Sequence, residues 1–270
     1  MPSRLPKGRP VRGDPECAHR GPPREWWQRF FESPDSIPLS YFPSERETAA
    51  EVEGVETLLR LTHEDEVLDA CCGMGRHLVP LRSQGFRVVG LDYSQMMLRK
   101  ARETAARAGV RCHLVRADAS RLPFPSGCFT KVMNLFNSFG YSMSDEDNLR
   151  VLQESSRCLT DGGELLLETR NKLYQLAGLP TTFSVRLPGG RRLQLSSFYD
   201  RRGRRLTSEW SAPGDHEAPV YCASIRLYEV AELKAMLDAS GLRLVGLYGN
   251  YRGHPFRRAN RQLILHARKA

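Results

Sequence analysis

The order of apolar segments predicts an α/β fold in which helices cover both faces of a parallel sheet. Strand-like and helix-like segments alternate between about residues 45 and 170, which is typical of successive βαβ units. The first apolar strand, residues 66–69, leads into a turn that holds Gly73 and Gly75. Glycine lets the backbone approach a ligand closely, and such a turn directs N–H groups at whatever lies over the following helix. We therefore expect a nucleotide-type pocket at the carboxyl end of this strand.

Each of three predicted strands ends in a carboxylate. Asp69 ends the first strand, and Asp92 ends the second, which covers residues 87–91. Asp118 follows a third strand at residues 111–115. A dinucleotide fingerprint would need a third glycine three residues after the second, and the chain has leucine there. Three strands that each end in a carboxylate favour a ligand with a positively charged group, a ribose and a base that carries an amino group. S-adenosylmethionine has all three.

The pattern changes after the fifth predicted strand. Apolar and polar residues alternate over residues 181–227, with glycine-containing turns, which predicts an antiparallel β insertion. Near the start of the chain, residues 26–31 predict a short aromatic helix, and Ser44 with Glu47 forms a capping-box pattern before another. The other predicted elements are strands at residues 131–136, 164–169, 243–249 and 262–266 and helices at residues 145–158 and 230–240. The expected domains are a disordered basic tail at residues 1–22, a cofactor-binding domain at residues 23–180 and 228–270, and a substrate lid formed by residues 181–227.

Composition narrows the class of protein. The 270 residues are 40% hydrophobic, which is ample for a core, and the formal net charge is +9. Part of that charge lies in the tail and part at residues 191–192 and 201–205. We favour solvated charge over nucleic-acid binding, because the aromatic residues nearby alternate as in strands and do not form a stacking platform.

The cysteines and the apolar runs indicate the compartment. None of the seven cysteines shows C-x-x-C spacing, so we expect free thiols in a reducing cytosol and no metal site. No apolar run approaches the roughly 18 residues that a membrane span requires, and no apolar segment follows the basic N-terminus as in a secretory signal. A cytoplasmic protein without a membrane partner is expected.

Three segments resemble motifs of the class I S-adenosylmethionine-dependent methyltransferases. Residues 67–75 are similar to the first motif of that family, residues 91–98 to the second and residues 116–119 to the third. The resemblance implies a Rossmann-like seven-stranded sheet with an antiparallel final strand, and S-adenosylmethionine as cofactor. It also implies a set of cofactor-binding residues, namely Arg46, Asp69, Cys71, Gly73, Gly75, Asp92, Tyr93, Met97, Asp118, Ala119, Asn134 and Leu135.

The same resemblance assigns parts of the cofactor to some of these residues. It places the ribose hydroxyls at Asp92 and the adenine at Asp118 and Met97. Asp69 is expected to organise the methionine end through the glycine turn. Arg46 aligns with an arginine that holds the cofactor carboxylate.

Within the class, two segments resemble glycine N-methyltransferase and its small-molecule relatives. Residues 135–139 are similar to the segment that lines the methionine and the substrate, and residues 169–171 are similar to the one that supplies an arginine for the substrate carboxylate. The expected catalytic residues are therefore Asn137 and Arg170, together with Tyr141. Tyr141 stands where that family has histidine, which argues against glycine itself as the acceptor. An arginine at position 170 would be costly to leave unpaired, so an amine or amino-acid-like acceptor that carries an acid group is expected.

These residues predict methyl transfer to a small-molecule acceptor, at an amine nitrogen. Transfer from a sulfonium is an in-line displacement, so the protein mainly orients and desolvates the two reactants. An amine that binds in its neutral form needs no dedicated base. Three alternatives remain at this point: an RNA methyltransferase that uses the basic tail and hairpin, an O-methyltransferase of a small metabolite, and a binder without catalysis. The chain has no Asn/Asp-Pro-Pro-Tyr segment after the fourth strand.

Overall fold

Two β-sheets organise the computed structural model, which describes residues 25–32, 42–186, 192–211 and 221–270. The expected tail at residues 1–22 and the expected turns at residues 189–190 and 213–214 lie outside these ranges. The strands are β1 (Glu66–Ala70), β2 (Arg87–Asp92), β3 (His113–Arg116), β4 (Phe129–Asn134), β5 (Leu159–Arg170), β6 (Thr181–Arg186), β7 (Arg192–Asp200), β8 (Arg205–Ser211), β9 (Tyr221–Arg226), β10 (Leu242–Tyr248) and β11 (Gln262–Lys269). The helices are α1 (Trp26–Glu32), α2 (Glu45–Leu59), α3 (Leu78–Ser83), α4 (Gln95–Arg107), α5 (Asp145–Cys158), α6 (Lys172–Ala177) and α7 (Val230–Asp238).

The larger sheet has seven strands in the order β10-β11-β5-β4-β1-β2-β3. Strands β1 to β5 run parallel to one another, and β11 is antiparallel to both β5 and β10. This confirms the predicted seven-stranded sheet with an antiparallel final strand. The strand order reverses between β1 and β4, and a crevice opens at the carboxyl ends of parallel strands at such a point.

Helices bury apolar side chains on both faces of this sheet. Leu59 of α2, Leu78 of α3 and Leu98 of α4 are fully buried in one cluster. Leu152 of α5 and Leu237 of α7 are buried in a second cluster. Each such leucine contributes about 1.5–3 kcal/mol relative to an exposed position. None of the helices in the described ranges is long and apolar enough to cross a membrane.

The second sheet is the predicted β insertion. Its four strands follow the order β6-β7-β8-β9, and every neighbouring pair is antiparallel. Because side chains alternate between the two faces of a strand, Leu195, Trp210 and Ile225 share one face. Trp26 and Phe30 of α1 pack against that face, so the aromatic helix covers the insertion.

Three local features differ from the sequence-based elements. Strand β4 ends at Asn134, before the predicted end at residue 136, because Phe136 and Asn137 have φ values of 56° and 62°, in the left-handed region that residues other than glycine rarely adopt in a strand. Strand β5 begins at Leu159 instead of residue 164, so the two glycines lie within it. Helix α6 was not predicted, because none of its six residues is buried and no apolar periodicity marks it.

Candidate active site

A cavity of about 780 Å³ lies at the carboxyl edge of the larger sheet, under α1 and the second sheet. This volume falls within the range of small-molecule sites. The loops after β1, β2, β3 and β4 and the end of β5 contribute to one part of the lining. The inner face of the second sheet contributes to the rest. The cavity therefore occupies the crevice expected where the strand order reverses.

The turn after β1 is fixed by backbone conformation and by one carboxylate. Cys71, Gly73 and Gly75 all have positive φ, and the backbone N–H of Gly73 donates to Asp92 at 2.8 Å. A Cβ on Gly73 would meet no atom within 4 Å, whereas a Cβ on Gly75 would lie 2.9 Å from a methyl of Val79. Cys71 and Gly73 line the cavity, and Gly75 lies behind them against α3.

Asp92, at the end of β2, is held by two backbone donors. Its Oδ2 accepts from Gly73, and its Oδ1 accepts from Ser94 at 2.9 Å. Burial raises the pKa of Asp92, and the two backbone hydrogen bonds oppose that shift. A carboxylate oxygen has two lone pairs, so Asp92 keeps the capacity to accept hydrogen bonds from a ligand in the cavity.

Asp69, at the end of β1, has one carboxylate oxygen available to a ligand. Its Oδ2 is buried and finds no partner in the part of the chain that the structure describes. Burial raises the pKa of Asp69 to about 8, the nearby charge of Asp92 adds to this shift, and Arg76 opposes it. A cation bound in the cavity would favour the ionised form of Asp69.

Of the two arginines considered for the cofactor carboxylate, Arg76 lies next to this turn and Arg46 lies away from the cavity. Arg46 is exposed on the first turn of α2 and does not line the cavity. Arg76 does line it; its Nη1 bonds to Glu51 at 2.5 Å, and its guanidinium lies 4.4 Å from the ring centroid of Phe136. The buried Nη2 of Arg76 has no hydrogen-bond partner within the described ranges. The alignment of motifs missed Arg76, although it directly follows the second glycine.

The loops after β2 and β3 form the next part of the lining. Tyr93 lines the cavity, with the ring of Trp27 edge-on to it at 4.8 Å. Met97 is buried in the first turn of α4. Asp118 accepts from the N–H of Ser120 at 2.8 Å. Four predicted cofactor residues from these loops line the same wall: Tyr93, Met97, Asp118 and Ala119.

The three predicted catalytic residues also line the cavity. Asn137 lies in the left-handed turn after β4, and Arg170 ends β5. The ring of Tyr141 packs against those of Trp26 and Phe31, with centroid distances of 5.1 and 5.7 Å. Burial raises the pKa of Tyr141, and the charge of Arg170 opposes this shift. The Tyr141 phenol therefore stays protonated at neutral pH and can donate a hydrogen bond.

The turn after β4 is held from behind by a buried carboxylate. Glu168 of β5 accepts from the backbone N–H of Phe136 and from the hydroxyl of Tyr251, both at 2.7 Å. Leu135 lines the cavity, whereas Asn134 does not. Asn134 is buried, and its Nδ2 lies 3.9 Å from the sulfur of Cys71. Asn134 thus supports the glycine turn rather than the cavity wall.

The polar groups form a set that fits one kind of ligand. Among the described residues, a carboxylate oxygen of Asp69 and a guanidinium nitrogen of Arg76 are left unsatisfied, and together they complement a zwitterionic amino-acid group. The remaining acceptor capacity of Asp92 suits a pair of hydroxyls. S-adenosylmethionine offers both features.

Comparison with known proteins agrees with this geometry. Residues 67–163 match a family model described as a methyltransferase domain. A cypemycin N-terminal methyltransferase from a Streptomyces species is 27% identical over 202 residues, which is 74% of this chain and 81% of the relative. The CcbJ methyltransferase of Streptomyces caelestis superposes with a TM-score of 0.72 at 21% identity, over 92% of this chain and 97% of that one. CalS10 of Micromonospora echinaspora, an amino pentose methyltransferase solved with S-adenosylmethionine bound, gives a TM-score of 0.58 at 22% identity, over 85% and 93% of the two chains.

The chain carries a methyltransferase domain over residues 67–163 and shares the fold of class I S-adenosylmethionine-dependent methyltransferases. It is an enzyme, and S-adenosylmethionine is its cofactor and methyl donor. The similarity of residues 135–139 and 169–171 to glycine N-methyltransferase remains a resemblance.

Proposed function

We propose that this enzyme methylates an amine nitrogen on a small-molecule acceptor. The observation that carries the proposal is the continuous cavity, which reaches from Asp92 and Asp118 to Trp210 and Ile225 of the second sheet. The donor and the acceptor can therefore share one chamber that α1 and the insertion cover. An amine acceptor is also supported by relatives, one named as an N-terminal methyltransferase and one as an amino pentose methyltransferase.

The cofactor is proposed to bind along the polar half of the cavity. Asp69 binds the positively charged amino group of the cofactor. Arg76 binds the cofactor carboxylate, which the motif resemblance assigned to Arg46. Asp92 accepts the ribose hydroxyls. The adenine lies between Met97 and the loop that carries Asp118 and Ala119. Cys71, Gly73, Tyr93 and Leu135 complete the wall, and Gly75 and Asn134 hold the turn in place from outside the cavity.

The residues of the acceptor side are proposed to orient the amine. When bound, the cofactor supplies a methyl group activated on a sulfonium. The phenol oxygen of Tyr141 accepts a hydrogen bond from an N–H of the neutral amine, which orients the amine and leaves its lone pair free to attack the methyl group. The methylated product is released as an ammonium and loses its extra proton to water. Asn137 and Arg170 position the polar end of the acceptor, since both line the cavity next to the strands that carry the cofactor residues. Enclosure by α1 excludes water from the reacting groups.

Matched acceptors test the proposal. The enzyme is incubated with methyl-labelled S-adenosylmethionine and with pairs of compounds that differ only in an amine or a hydroxyl at the same carbon. We expect label on the amines, and none on total RNA supplied as a further acceptor. Label on the alcohols alone would establish an O-methyltransferase instead. Label on RNA alone would show that the basic segments bind nucleic acid and would refute a small-molecule acceptor.

A further inference from the structure

The half of the cavity away from Asp92 is walled mainly by aromatic and aliphatic side chains, together with two serines whose hydroxyls bond to each other at 2.8 Å. Helix α1 supplies the rings of Trp26, Phe30 and Phe31 to it, whereas Trp27 packs on Tyr93 nearer Asp92. All three tryptophans of the chain line this one cavity. The second sheet supplies the opposite wall through residues two apart on each strand, which face the same side. These sheet residues are Leu195 and Ser197 on β7, Leu206, Ser208 and Trp210 on β8, and Ala223 and Ile225 on β9.

The indole N–H of Trp210 is a polar group on this wall that a ligand could use. Its Nε1 is buried and makes no hydrogen bond in the portion of the chain that the structure describes. The side chain is 6% exposed, and its ring lies 5.1 Å from that of Phe30. By contrast, the Nε1 of Trp26 donates to the carbonyl of Tyr141 at 3.3 Å. A buried N–H without an acceptor is unfavourable, so an oxygen atom placed against Trp210 would satisfy an unused donor of a residue that lines the cavity.

We infer that the acceptor of the reaction is a bulky amine with a largely apolar body and an oxygen atom that accepts from Trp210. This inference rests on the proposed amine methylation and names the class of acceptor. The apolar body lies in the cavity against the side chains of α1 and of the strands β7 to β9 that line it, and the amine lies near Tyr141, which packs on the same aromatic cluster. An acceptor of the size of glycine would leave the part of the cavity beside these side chains unfilled, and the apolar surface there would gain no contacts from the acceptor.

Chain length provides the first test. The enzyme is saturated with S-adenosylhomocysteine and titrated with straight-chain alkylamines whose alkyl chains range from butyl to decyl. Glycine is titrated in the same way. Because all three tryptophans line the cavity, their fluorescence reports occupancy directly. Each added methylene that is buried should tighten binding about fourfold, until the chamber is filled. Equal binding of glycine and the long amines would overturn the inference.

Oxygen position provides the second test. One methylene of the best alkylamine is replaced by an ether oxygen at successive positions along the chain. The wild-type enzyme should bind the amine with its ether oxygen at one particular position more tightly than the amines with the oxygen at neighbouring positions. The variant Trp210→Phe keeps a ring and removes the donor, so this preference should disappear. The matched variant Trp26→Phe removes an N–H that is already bonded to Tyr141, and the preference should persist. The same preference in Trp210→Phe as in the wild type would refute the role of this donor.

A blocking variant separates this inference from the proposed function. Ala223→Phe fills the apolar half from β9 and should weaken decylamine binding more than tenfold, the range expected for an overpacked site. Calorimetry should find its affinity for S-adenosylhomocysteine within about twofold of the wild type, since distant sites act independently. If labelled methyl groups reach short and long amines equally, and Ala223→Phe has no effect, the bulky acceptor is refuted and amine methylation stands. If no amine is labelled while alcohols are, the proposed function fails first.

Discussion

The two halves of the cavity are built on opposite principles. The half proposed for the cofactor consists of tight turns after β1, β2 and β3, where backbone N–H groups and carboxylates meet in fixed geometry. The half proposed for the acceptor consists mainly of apolar side chains on α1 and the second sheet. A turn that must hold a sulfonium nucleotide tolerates few residues, whereas an apolar wall is defined mainly by shape. The first half therefore follows from sequence spacing, and the second follows from tertiary packing.

The largest expected effect comes from the buried carboxylate in the cofactor half. The folded-state pKa of Asp69, about 8, lies above its ordinary value of 3.8. The stability contributed by this group is thus present below about pH 4 and is lost as the pH rises toward 8. The substitution Asp69→Asn removes the titration. Without cofactor, the variant should gain roughly 2–4 kcal/mol over the wild type between about pH 5 and pH 8.

Urea unfolding of both proteins at the two pH values measures this difference. S-adenosylmethionine carries a positive charge that favours ionised Asp69, so the cofactor should stabilise the wild type more strongly at the higher pH. If the difference in unfolding free energy between wild type and Asp69→Asn does not change with pH, Asp69 is not the buried titrating group.

The next effect concerns the ribose site. Asp92→Ala should weaken S-adenosylhomocysteine binding by about 1.5–3 kcal/mol, the scale of hydrogen bonds to a charged group, which is about 10- to 150-fold in affinity. Isothermal calorimetry measures it. Asp200 is a matched control, because it also accepts two backbone N–H groups, from Arg202 at 2.9 Å and Gly203 at 3.0 Å, in a turn of the second sheet. Asp200→Ala should leave cofactor affinity unchanged, and an equal loss in both variants would point to general destabilisation.

A third comparison decides between two arginines. Arg76→Gln should weaken cofactor binding by about 1–2 kcal/mol, because the cofactor carboxylate loses a charged donor. Arg46→Gln, on the exposed turn of α2, should bind the cofactor as the wild type does. Thermal unfolding of Arg76→Gln measures the separate cost of leaving Glu51 without its ion pair. The reverse result, a loss in Arg46→Gln alone, would restore the alignment-based assignment.

These contrasts show what the sequence could predict. The acid-tipped strands and the capping box of Ser44 depend on local patterns, and the structure contains them. The turn at Phe136 could not be predicted, because its positive φ is accompanied by a hydrogen bond to Glu168, 32 residues away. The aromatic wall depends on contacts between α1 and the second sheet, such as Trp26 with Tyr141, 115 residues apart. Spacing along the chain does not encode such pairings.

The smallest expected effect lies at the border between the halves. Arg170 ends β5 and lines the cavity, and its charge acts on the phenol of Tyr141. If an acid group on the acceptor pairs with this arginine, Arg170→Ala should raise the acceptor KM about tenfold, the value of one bidentate ion pair. Cofactor affinity should stay within about threefold, because the cofactor residues lie on other strands.

Steady-state kinetics test the role of Arg170 with two acceptors that differ only in whether they carry a carboxylate. The wild type should prefer the acid-bearing acceptor, and Arg170→Ala should treat the two alike, since the preference comes from a single charge. A variant that loses cofactor affinity and keeps its acceptor kinetics would place Arg170 on the cofactor side. The end of β5 would then belong to the cofactor site, and only Asn137 and Tyr141 would bind the polar end of the acceptor.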